Sequence, residues 1–534
     1  MFPLLTLSLS LATLTHAYIW PSPQLDALEA ARFDQLGLDG EQLAGRLNPC
    51  DSFVFALDGS GRTNAADWIR TAWSDVATYD ASAGTGGLDA SIRFGEEQQR
   101  PENAGTSASD TFAVVTPTRY IGYADTLALM TTMAIENCGG PVIPFRGGRV
   151  DATEANAPGV PQPQQDLSSH TAAFARAGFS QTDMIGLVAC GHTFGGVQHS
   201  VYPNIVNVLN EPNDADDVAD FDSTFVTFDN NVASEYISGT TKNPLVVGFN
   251  DTTNSDKRIF GSDGNVTMKS FAQSPSLFAS TCSSLFARML DTVPSGVELT
   301  DVITPLPIKP AFVEFSLNNK SLEMAGQVRF WNQTQSQVGT VIMLWDDHLG
   351  GTGIETLKFF GTGTYKAGQV SSAWYGFNTS SPNTNKILNL DPVAGVERLR
   401  FLVNDQVQDQ GGVGFAVQDA YMFSDTSCIT LNEPQIGLVV GRLDVAVRTS
   451  ANLTRLYIET SGSDAFGRVT VTETDITRPA QPVVPNPAYE LWSLTVNSTF
   501  GFTIGAVVDG EKFSTTLGRS VNTNQWPACP GVLI

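Results

Sequence analysis

The spacing of apolar residues changes near residue 304, and this change limits the folds that the 534-residue chain can adopt. Before it, apolar residues recur at helical spacing; in QTDMIGLVACGHTFGG they fall at positions 184, 185, 188 and 189. After it, short runs such as GTVIMLWDD and RLRFLVND alternate with period two between Gly, Asn and Asp turns, which indicates strands. The sequence therefore predicts a multidomain protein, with a mainly α-helical part followed by an all-β, sandwich-like part.

The predicted organisation has four segments. Residues 1–17, MFPLLTLSLSLATLTHA, form an apolar run that ends in small residues, as a secretory signal peptide does. Residues 18–303 form the helical domain, and the proline-bearing stretch ITPLPIKPA marks its end. The remaining residues are enough for one or two sandwiches; we predict two, 304–430 and 431–534, with the break within 428–435.

Other features agree with export. The six cysteines suit three disulfides in an oxidising compartment. Seven Asn-X-Ser/Thr sequons are candidate glycosylation sites: Asn250, Asn265, Asn319, Asn332, Asn378, Asn452 and Asn497. The net charge of -25 argues against nucleic acid and anionic membranes as partners. No run after the signal reaches the ~20 apolar residues of a membrane span, so we expect a secreted, extracellular protein.

Several motifs of the helical part belong together. In DMIGLVACGHTFGG, His192 lies near the end of a predicted helix, where a lone histidine is more often packed or exposed than a ligand. RTAWSD is followed by TGGLDASIRF, PENAG, YADTLALMTTMAIENCGGP and GGRVDA. In their order and spacing, over residues 45–295, these motifs resemble the distal and proximal signatures of the plant, fungal and bacterial haem peroxidase superfamily. The resemblance implies a mainly α haem-peroxidase domain.

The resemblance also implies a set of residues that bind the haem. It makes His192 the axial ligand of a haem b, with Trp73 beside the haem. It makes Asp263, in IFGSDGNVTM, the acceptor of the other imidazole N–H of His192. A carboxylate in this place makes the histidine ligand more electron-rich. Ser-Asp-Gly also suits a turn, so this second role of Asp263 stays open.

The distal side departs from the family. Arg70 and Ser74 are four residues apart and share a helix face, where the family has an arginine and a histidine. Asn103 matches the residue that orients this histidine, but a serine hydroxyl does not act as a base near neutral pH. Loss of a positioned acid–base group costs ~10²–10⁴ in rate. The sequence leaves open whether a carboxylate of the following loop reaches inward instead: Glu96, Glu97 or Glu102.

Two calcium ions are a further implication of the resemblance, because secreted fungal class II peroxidases hold them, although the tryptophan in TAWSD is typical of class I. Carboxylate, hydroxyl and carbonyl oxygens on one short loop are the ligands of a hard cation. The proximal ligands would be Thr193, Asp222, Thr224, Thr227 and Asp229, and the distal ligands Asp75, Gly87, Asp89 and Ser91. Solvated acidic loops are the alternative interpretation.

The same resemblance implies a disulfide between Cys50 and Cys138, and we expect Cys190–Cys282 and Cys428–Cys529 as the other two. The expected function is that of a secreted haem peroxidase, in which hydrogen peroxide oxidises a small or polymeric donor that the sequence does not identify. The alternative is a non-catalytic haem-binding extracellular protein whose β domains contact a cell wall or matrix. The enzyme is favoured because the residue types that the family has at these positions are all kept: Arg70, Asn103, His192 and Asp263.

Overall fold

The computed structural model describes residues 22–34, 43–53, 60–106, 108–211, 214–318, 320–377, 388–433, 438–497, 502–514 and 526–530. The predicted signal peptide, residues 1–17, and the sequons at Asn319 and Asn378 lie outside the described residues. A mainly helical region ends at residue 290 and a β-rich region begins at residue 308. The predicted fold class, a helical domain followed by a β-rich region with several sheets, is confirmed.

Twelve α-helices are found in the described part of the helical region. They are α1 (Pro23–Phe33), α2 (Asn64–Val76), α3 (Gly95–Gln98), α4 (Ala108–Ala113), α5 (Tyr123–Asn137), α6 (Leu167–Arg176), α7 (Gln181–Gly191), α8 (Asn231–Ser238), α9 (Pro244–Val247), α10 (Ser255–Phe260), α11 (Val266–Gln273) and α12 (Pro275–Leu290). Single 3₁₀ turns cover Leu43–Arg46, Ser91–Arg93, Pro101–Asn103 and Asp251–Thr253, and a small antiparallel ribbon pairs β1 (Gly196–Gln198) with β2 (Val218–Asp220).

Local sequence signals fix the two helices that carry the site. Helix α2 begins after Thr63, whose side chain accepts the N–H of Ala66. Helix α7 begins with a capping box between Ser180 and Asp183. Disulfide Cys190–Cys282 ties α7 to α12, Cys50–Cys138 ties the segment before α2 to the end of α5, and Cys428–Cys529 closes the β-rich region. All three predicted pairings are confirmed.

The strands of the β-rich region follow in chain order, with one helical turn, α13 (Gln335–Val338). They are β3 (Ile308–Asn318), β4 (Ser321–Phe330), β5 (Val341–Asp346), β6 (Thr352–Thr356), β7 (Lys358–Tyr365), β8 (Val370–Phe377), β9 (Leu388–Leu390), β10 (Arg398–Val403), β11 (Gln406–Gln408), β12 (Phe415–Ala416), β13 (Tyr421–Ser424), β14 (Cys428–Glu433), β15 (Leu438–Arg448), β16 (Leu453–Ser463), β17 (Val469–Asp475), β18 (Val483–Asn486), β19 (Tyr489–Asn497), β20 (Thr503–Val508) and β21 (Glu511–Ser514).

One ten-stranded sheet runs through the whole β-rich region, in the order β18-β19-β15-β13-β3-β4-β8-β7 with β14 and β9 attached. A sheet containing β11, β10, β5 and β6 accompanies its first half, and a sheet of β17, β16, β20 and β21 accompanies its second half. Each half has its own core, and the change of core falls between Val417 and Ala420. The predicted boundary at residue 430 is therefore wrong in position: it lies inside β14, which pairs with β15.

Buried ion pairs join the helical region to the β-rich region. Lys309 on β3 lies 2.7 Å from Glu29 of α1, and Arg329 on β4 lies 2.9 Å from Asp34 at the end of α1. All four side chains are buried. Because a buried charge is tolerated only when it is paired and hydrogen-bonded, these contacts fix α1 against the first two strands of the large sheet.

Candidate active site

A cavity of about 270 Å³ lies inside the helical domain, between helices α2, α6, α7, α10 and α12. Most of its wall is apolar, and Trp73, Phe174 and Phe221 contribute aromatic rings. Polar groups enter it from two opposite sets of elements. Helix α2 and the loop after it form the distal wall. The residues around the end of α7 and on α10 form the proximal wall. A mostly apolar cavity with a few placed polar groups is the usual form of a ligand site.

His192 is the centre of the proximal wall. It directly follows α7, and its N–H bonds to the carbonyl of Val188. Its Nδ1 lies 2.7 Å from Oδ2 of Asp256, which is 1% exposed and also accepts the amide of Asn243 at 2.8 Å. The ring of Phe221 stacks on the imidazole with centroids 4.0 Å apart. Because the carboxylate accepts the Nδ1 proton, Nε2 keeps its lone pair for a metal in the cavity.

Asp263, the predicted partner of His192, does not contact it. Its carboxylate accepts the N–H groups of Val266 and Thr267 at 3.0 and 2.9 Å and so caps the start of α11. The prediction was therefore wrong, and the turn role that the sequence left open is the observed one. Asp256 takes the proximal role from α10, seven residues earlier. The same Ser-Asp pair precedes α11 and opens α10, so the dipeptide alone could not distinguish the two.

Arg70 and Ser74 come together on the distal wall, as predicted from their spacing on α2, and Trp73 lines the cavity beside them. Arg70 donates to the carbonyl of Ala104 and to the hydroxyl of Tyr202, both at 2.8 Å. Trp73 stacks on Phe174 of α6, with ring centroids 4.8 Å apart. Ser74 contributes a hydroxyl to the wall one turn beyond Arg70. Tyr202 was not found from the sequence, because no motif surrounds it.

Asn103 lies behind the distal wall rather than on it. Its Nδ2 donates to the carbonyl of Glu97 at 2.9 Å. Its Oδ1 is buried and accepts no hydrogen bond from any described residue. In the family that the sequence resembles, this oxygen accepts the N–H of a histidine at the position of Ser74. Because this chain has a serine there, the Asn103 oxygen lacks that donor. An unpaired buried acceptor of this kind costs ~1–3 kcal/mol.

The three loop carboxylates occupy different places. Glu96 is exposed and pairs with Arg100 at 3.2 Å. Glu97 is buried, and its Oε1 accepts the N–H of Asn156 at 2.5 Å, while burial raises its pKa. Glu102 alone of the three lines the cavity. Of the three loop carboxylates that the sequence left as candidates for an inward-reaching group, only Glu102 is therefore at the cavity.

The predicted proximal calcium ligands come together behind His192. Thr193 is buried and its hydroxyl lies 2.8 Å from the carbonyl of Asp229. Oδ1 of Asp222 accepts the N–H of Thr224 at 2.8 Å, whereas its Oδ2 is buried and has no partner among the described residues. Burial and the nearby charge of Asp229 raise the pKa of Asp222 to about 7. Thr227 closes the loop by donating its N–H to the Thr224 carbonyl.

The composition of this proximal set fits a hard cation. It offers two carboxylates together with hydroxyl and carbonyl oxygens, which are the ligands that calcium prefers. The unpaired Oδ2 of Asp222 and its raised pKa both indicate negative charge that lacks a counter-ion within the described residues.

The predicted distal calcium ligands do not fit an ion in their present arrangement. Both oxygens of Asp75 are saturated by N–H and O–H donors from residues 89–92, and the Gly87 carbonyl accepts the N–H of Asp89. The amide nitrogen of Asn156 lies 3.0 Å from both oxygens of Asp89 and 2.9 Å from the Ser91 hydroxyl, where a cation would have to lie. Each of the two predicted sets has two carboxylates, and in the described residues no group of three His, Cys, Asp or Glu side chains is placed to hold a metal. The distal calcium prediction is therefore not supported by the geometry.

Comparison with known proteins agrees with this geometry. The family model described as Peroxidase matches residues 50–274, which contain both walls of the cavity. The helical region is thus a peroxidase domain of the plant, fungal and bacterial haem peroxidase superfamily. The finer resemblance to the secreted fungal class II enzymes stays a prediction.

Three relatives illustrate the range of the similarity. A WSC domain-containing protein of Arthroderma benhamiae is 36% identical over 375 residues, 68% of this chain and 51% of that protein. L-ascorbate peroxidase 5, peroxisomal, of Arabidopsis thaliana is 39% identical over 138 residues, 26% of this chain and 49% of that protein. The mitochondrial cytochrome c peroxidase of Emericella nidulans is 33% identical over 133 residues, 24% of this chain and 37% of that protein.

The chain spans about half the length of the first two of these relatives. The match to the WSC domain-containing protein is longer than residues 50–274, so it extends beyond the peroxidase domain. Together the comparisons support a peroxidase-type oxidoreductase, a class that generally binds haem. None of the described helices is long and apolar enough to cross a membrane.

Proposed function

We propose that this chain is a secreted haem peroxidase that uses hydrogen peroxide to oxidise a donor still to be identified. The contact that carries the proposal is the chain of hydrogen bonds from Asn243 through Asp256 to His192 at the cavity wall. A histidine held by a buried carboxylate, with its second nitrogen facing an apolar cavity, is suited to be the axial ligand of a haem b. Export is supported by the apolar leader, the three disulfides and the exposed sequons at Asn332 and Asn452.

Each wall has a distinct task in this proposal. When bound, the haem supplies the redox centre that exchanges electrons with hydrogen peroxide and with the donor. Asp256 keeps the proton on Nδ1 of His192 and raises the basicity of Nε2. Arg70 lines the cavity and is anchored by Ala104 and Tyr202, so its charge would stabilise an oxygen that becomes negative as the O–O bond breaks. Trp73 and Phe174 exclude water from the distal wall.

A calcium ion at Thr193, Asp222, Thr224, Thr227 and Asp229 belongs to the same proposal. Thr193 directly follows His192, so an ion bound there would fix the end of α7 and the orientation of the axial imidazole. The unpaired Asp222 oxygen supports this assignment.

The test is haem uptake measured by the Soret absorbance of the purified or hemin-reconstituted full chain. We expect His192→Ala to abolish haem retention or to shift the Soret band strongly. His199→Ala is the matched control, because His199 bonds to the Val206 carbonyl and does not line the cavity. A wild-type protein that takes up no haem, or an unchanged spectrum in His192→Ala, would reject the proposal.

Catalysis is tested separately by adding hydrogen peroxide to the haem-loaded protein and following the Soret band. A peroxide-dependent spectral change that a reducing donor reverses is expected for an enzyme. Stable haem binding without any response to peroxide would instead favour the alternative, a non-catalytic haem-binding protein.

A further inference from the structure

We propose that the carboxylate of Glu102 is the distal general base of this chain: it accepts a proton from hydrogen peroxide and returns it to the oxygen that departs as water. The inference rests on the proposed function, because it assigns a role at the same cavity. It answers the difficulty that Ser74 creates, since a serine hydroxyl cannot take this proton near neutral pH. Nothing in the spacing of the sequence distinguished Glu102 from Glu96 or Glu97.

The position of Glu102 follows from the way its segment is fixed. Glu102 belongs to the 3₁₀ turn Pro101–Asn103, and both Pro101 and Glu102 line the cavity. Immediately after the turn, the carbonyl of Ala104 accepts hydrogen bonds from Arg70 and from the Tyr202 hydroxyl. The segment is thus attached to the arginine of the distal wall. Glu102 therefore lines the cavity two residues before the carbonyl that anchors the guanidinium of Arg70.

The other acidic side chains that line the cavity are engaged elsewhere. Both oxygens of Asp67 accept Nη2 of Arg62, at 2.8 and 3.0 Å. Asp256 is the partner of His192 on the proximal wall. Glu102 has no ion-pair partner among the described residues. It is therefore the carboxylate on the distal side that can exchange a proton without breaking an existing pair.

His170 is the rival candidate. It lines the cavity from α6, its Nε2 lies 3.1 Å from the Gln162 carbonyl, and its Nδ1 is buried without a partner among the described residues. It lies one helical turn before Phe174, whose ring stacks on Trp73. His170 is thus carried by α6, whereas Glu102 belongs to the segment whose Ala104 carbonyl anchors Arg70. For this reason we assign the base to Glu102.

In the proposed step, the proton that Glu102 accepts is returned within the same cavity. The carboxylate takes one proton from the first oxygen of hydrogen peroxide, and the resulting carboxylic acid gives it to the second oxygen. The O–O bond breaks, the second oxygen leaves as water and Glu102 is regenerated. The electron pair of the O–O bond goes to the leaving oxygen. A bound haem would retain the first oxygen atom and supply the two electrons that the cleavage needs, so no further reactant would enter the step.

The experiment compares Glu102→Gln, Glu102→Asp and Glu96→Gln in the haem-loaded full chain. The first readout is the rate of cyanide association with ferric haem in stopped flow. Cyanide arrives near neutral pH as hydrogen cyanide and has to lose its proton before it binds iron, so its association reports the base without turnover. The second readout is the peroxide-driven change of the Soret band. We expect Glu102→Gln to slow both by about 10²-fold, the lower end of a general-base effect.

The control variants separate charge from fold. Glu102→Asp keeps a carboxylate and should stay within about tenfold of wild type, by the same scale of general-base effects. Glu96→Gln removes an exposed carboxylate of the same loop and should change neither rate. Haem content should be equal in all variants, because Glu102 is not part of the haem-holding set.

The outcomes distinguish the two proposals. A wild-type chain that takes up no haem rejects the proposed function and this inference with it. Equal rates in wild type and Glu102→Gln, in protein that does hold haem, reject the inference alone. The inference is also rejected if His170→Phe, rather than Glu102→Gln, causes the loss of rate.

Discussion

The two walls of the cavity differ in how completely their polar groups are paired. On the proximal wall, Asn243, Asp256 and His192 form an unbroken series of hydrogen bonds. On the distal wall, Arg70 is well anchored, but the Oδ1 of Asn103 is buried without a partner among the described residues. The elements suited to hold a haem are intact, whereas the element that moves protons has changed. Under the proposed function, haem binding and proton transfer can therefore be tested by separate substitutions.

A second difference concerns the two predicted calcium sites, one behind each wall. The proximal set retains an unpaired buried oxygen of Asp222, while the distal set has filled the place of an ion with the amide of Asn156. Because the Asn156 amide donates hydrogen bonds to Asp89 and Ser91, this neutral group takes the place that a cation would need behind the distal wall. The comparison predicts that metal matters for one wall only.

Removal of calcium should have the largest effect on stability. An ion bound only to the native state stabilises it by about 2.7 kcal/mol at a concentration of 100 times its Kd. We expect chelation to lower the free energy of unfolding by this order and to speed haem loss, because Thr193 adjoins His192. Denaturant unfolding with and without chelator measures the first effect, and the decay of the Soret band measures the second.

Two variants locate that effect. Asp222→Asn should abolish the response to chelator, whereas Asp89→Asn should leave it in place because the Asn156 amide already bonds to Asp89. An elemental analysis that finds no calcium in the native protein would contradict the prediction, and a chelator response lost in Asp89→Asn would reverse the assignment of the two sites.

Asp256→Asn tests the proximal series directly. The amide can still accept the Nδ1 proton of His192 but has lost the negative charge, so the ligand becomes less basic. Replacing the hydrogen-bond partner of a metal ligand typically costs ~10–100-fold in metal affinity or activity, and we expect a fall of this size in haem affinity, measured by hemin titration.

Asp263→Ala is the matched comparison, because Asp263 was the partner expected from the sequence. It should cost about 1 kcal/mol of stability through the lost cap of α11 and leave the Soret band unchanged. A Soret shift in Asp263→Ala with none in Asp256→Asn would show that the proximal role had been assigned to the wrong aspartate.

The site was predictable where spacing within one helix decides it. Arg70 and Ser74 lie on α2 four residues apart, so helical geometry alone puts both on the same wall. His192 was placed by its motif at the end of α7. The proximal aspartate was missed because it lies on another helix, and the choice between residues 256 and 263 depends on loop paths that spacing does not reveal.

The fold shows the same limit at a larger scale. Period-two runs identified the strands of the β-rich region, and the change in the spacing of apolar residues located the start of this region to within a few residues. They did not reveal that β13 pairs in parallel with β3 and antiparallel with β15, so that one sheet continues through both halves. Pairing between distant strands depends on register and crossover, for which a single strand carries no signal.

Ser74→His, made in the Glu102→Gln background, asks whether the distal wall still accepts the histidine it lacks. The new imidazole would lie one turn from Arg70 and could donate its N–H to the unpaired Oδ1 of Asn103. We expect peroxide-driven change of the Soret band to speed up by at least about tenfold relative to Glu102→Gln. Stopped-flow absorbance measures it; no gain, with haem content preserved, would mean that the wall has been reshaped.

The smallest effect is expected for Asn103→Leu, which can be compared with the same substitution on the proximal wall. Asn243 and Asn103 are both buried asparagines, but Asn243 donates to a carboxylate, whereas Asn103 donates to a carbonyl and leaves its own oxygen unpaired. Asn243→Leu removes a hydrogen bond to a charged group, a change worth ~1.5–3 kcal/mol. It also removes the Oδ1 that accepts the Leu245 N–H at the start of α9, which adds to the loss. Asn103→Leu loses one neutral hydrogen bond but also removes an unpaired buried acceptor, and since these contributions oppose each other we expect a change within about 1 kcal/mol. Denaturant unfolding of both variants measures the difference, and an Asn103→Leu protein that loses as much stability as Asn243→Leu would mean that the Asn103 oxygen has a partner after all.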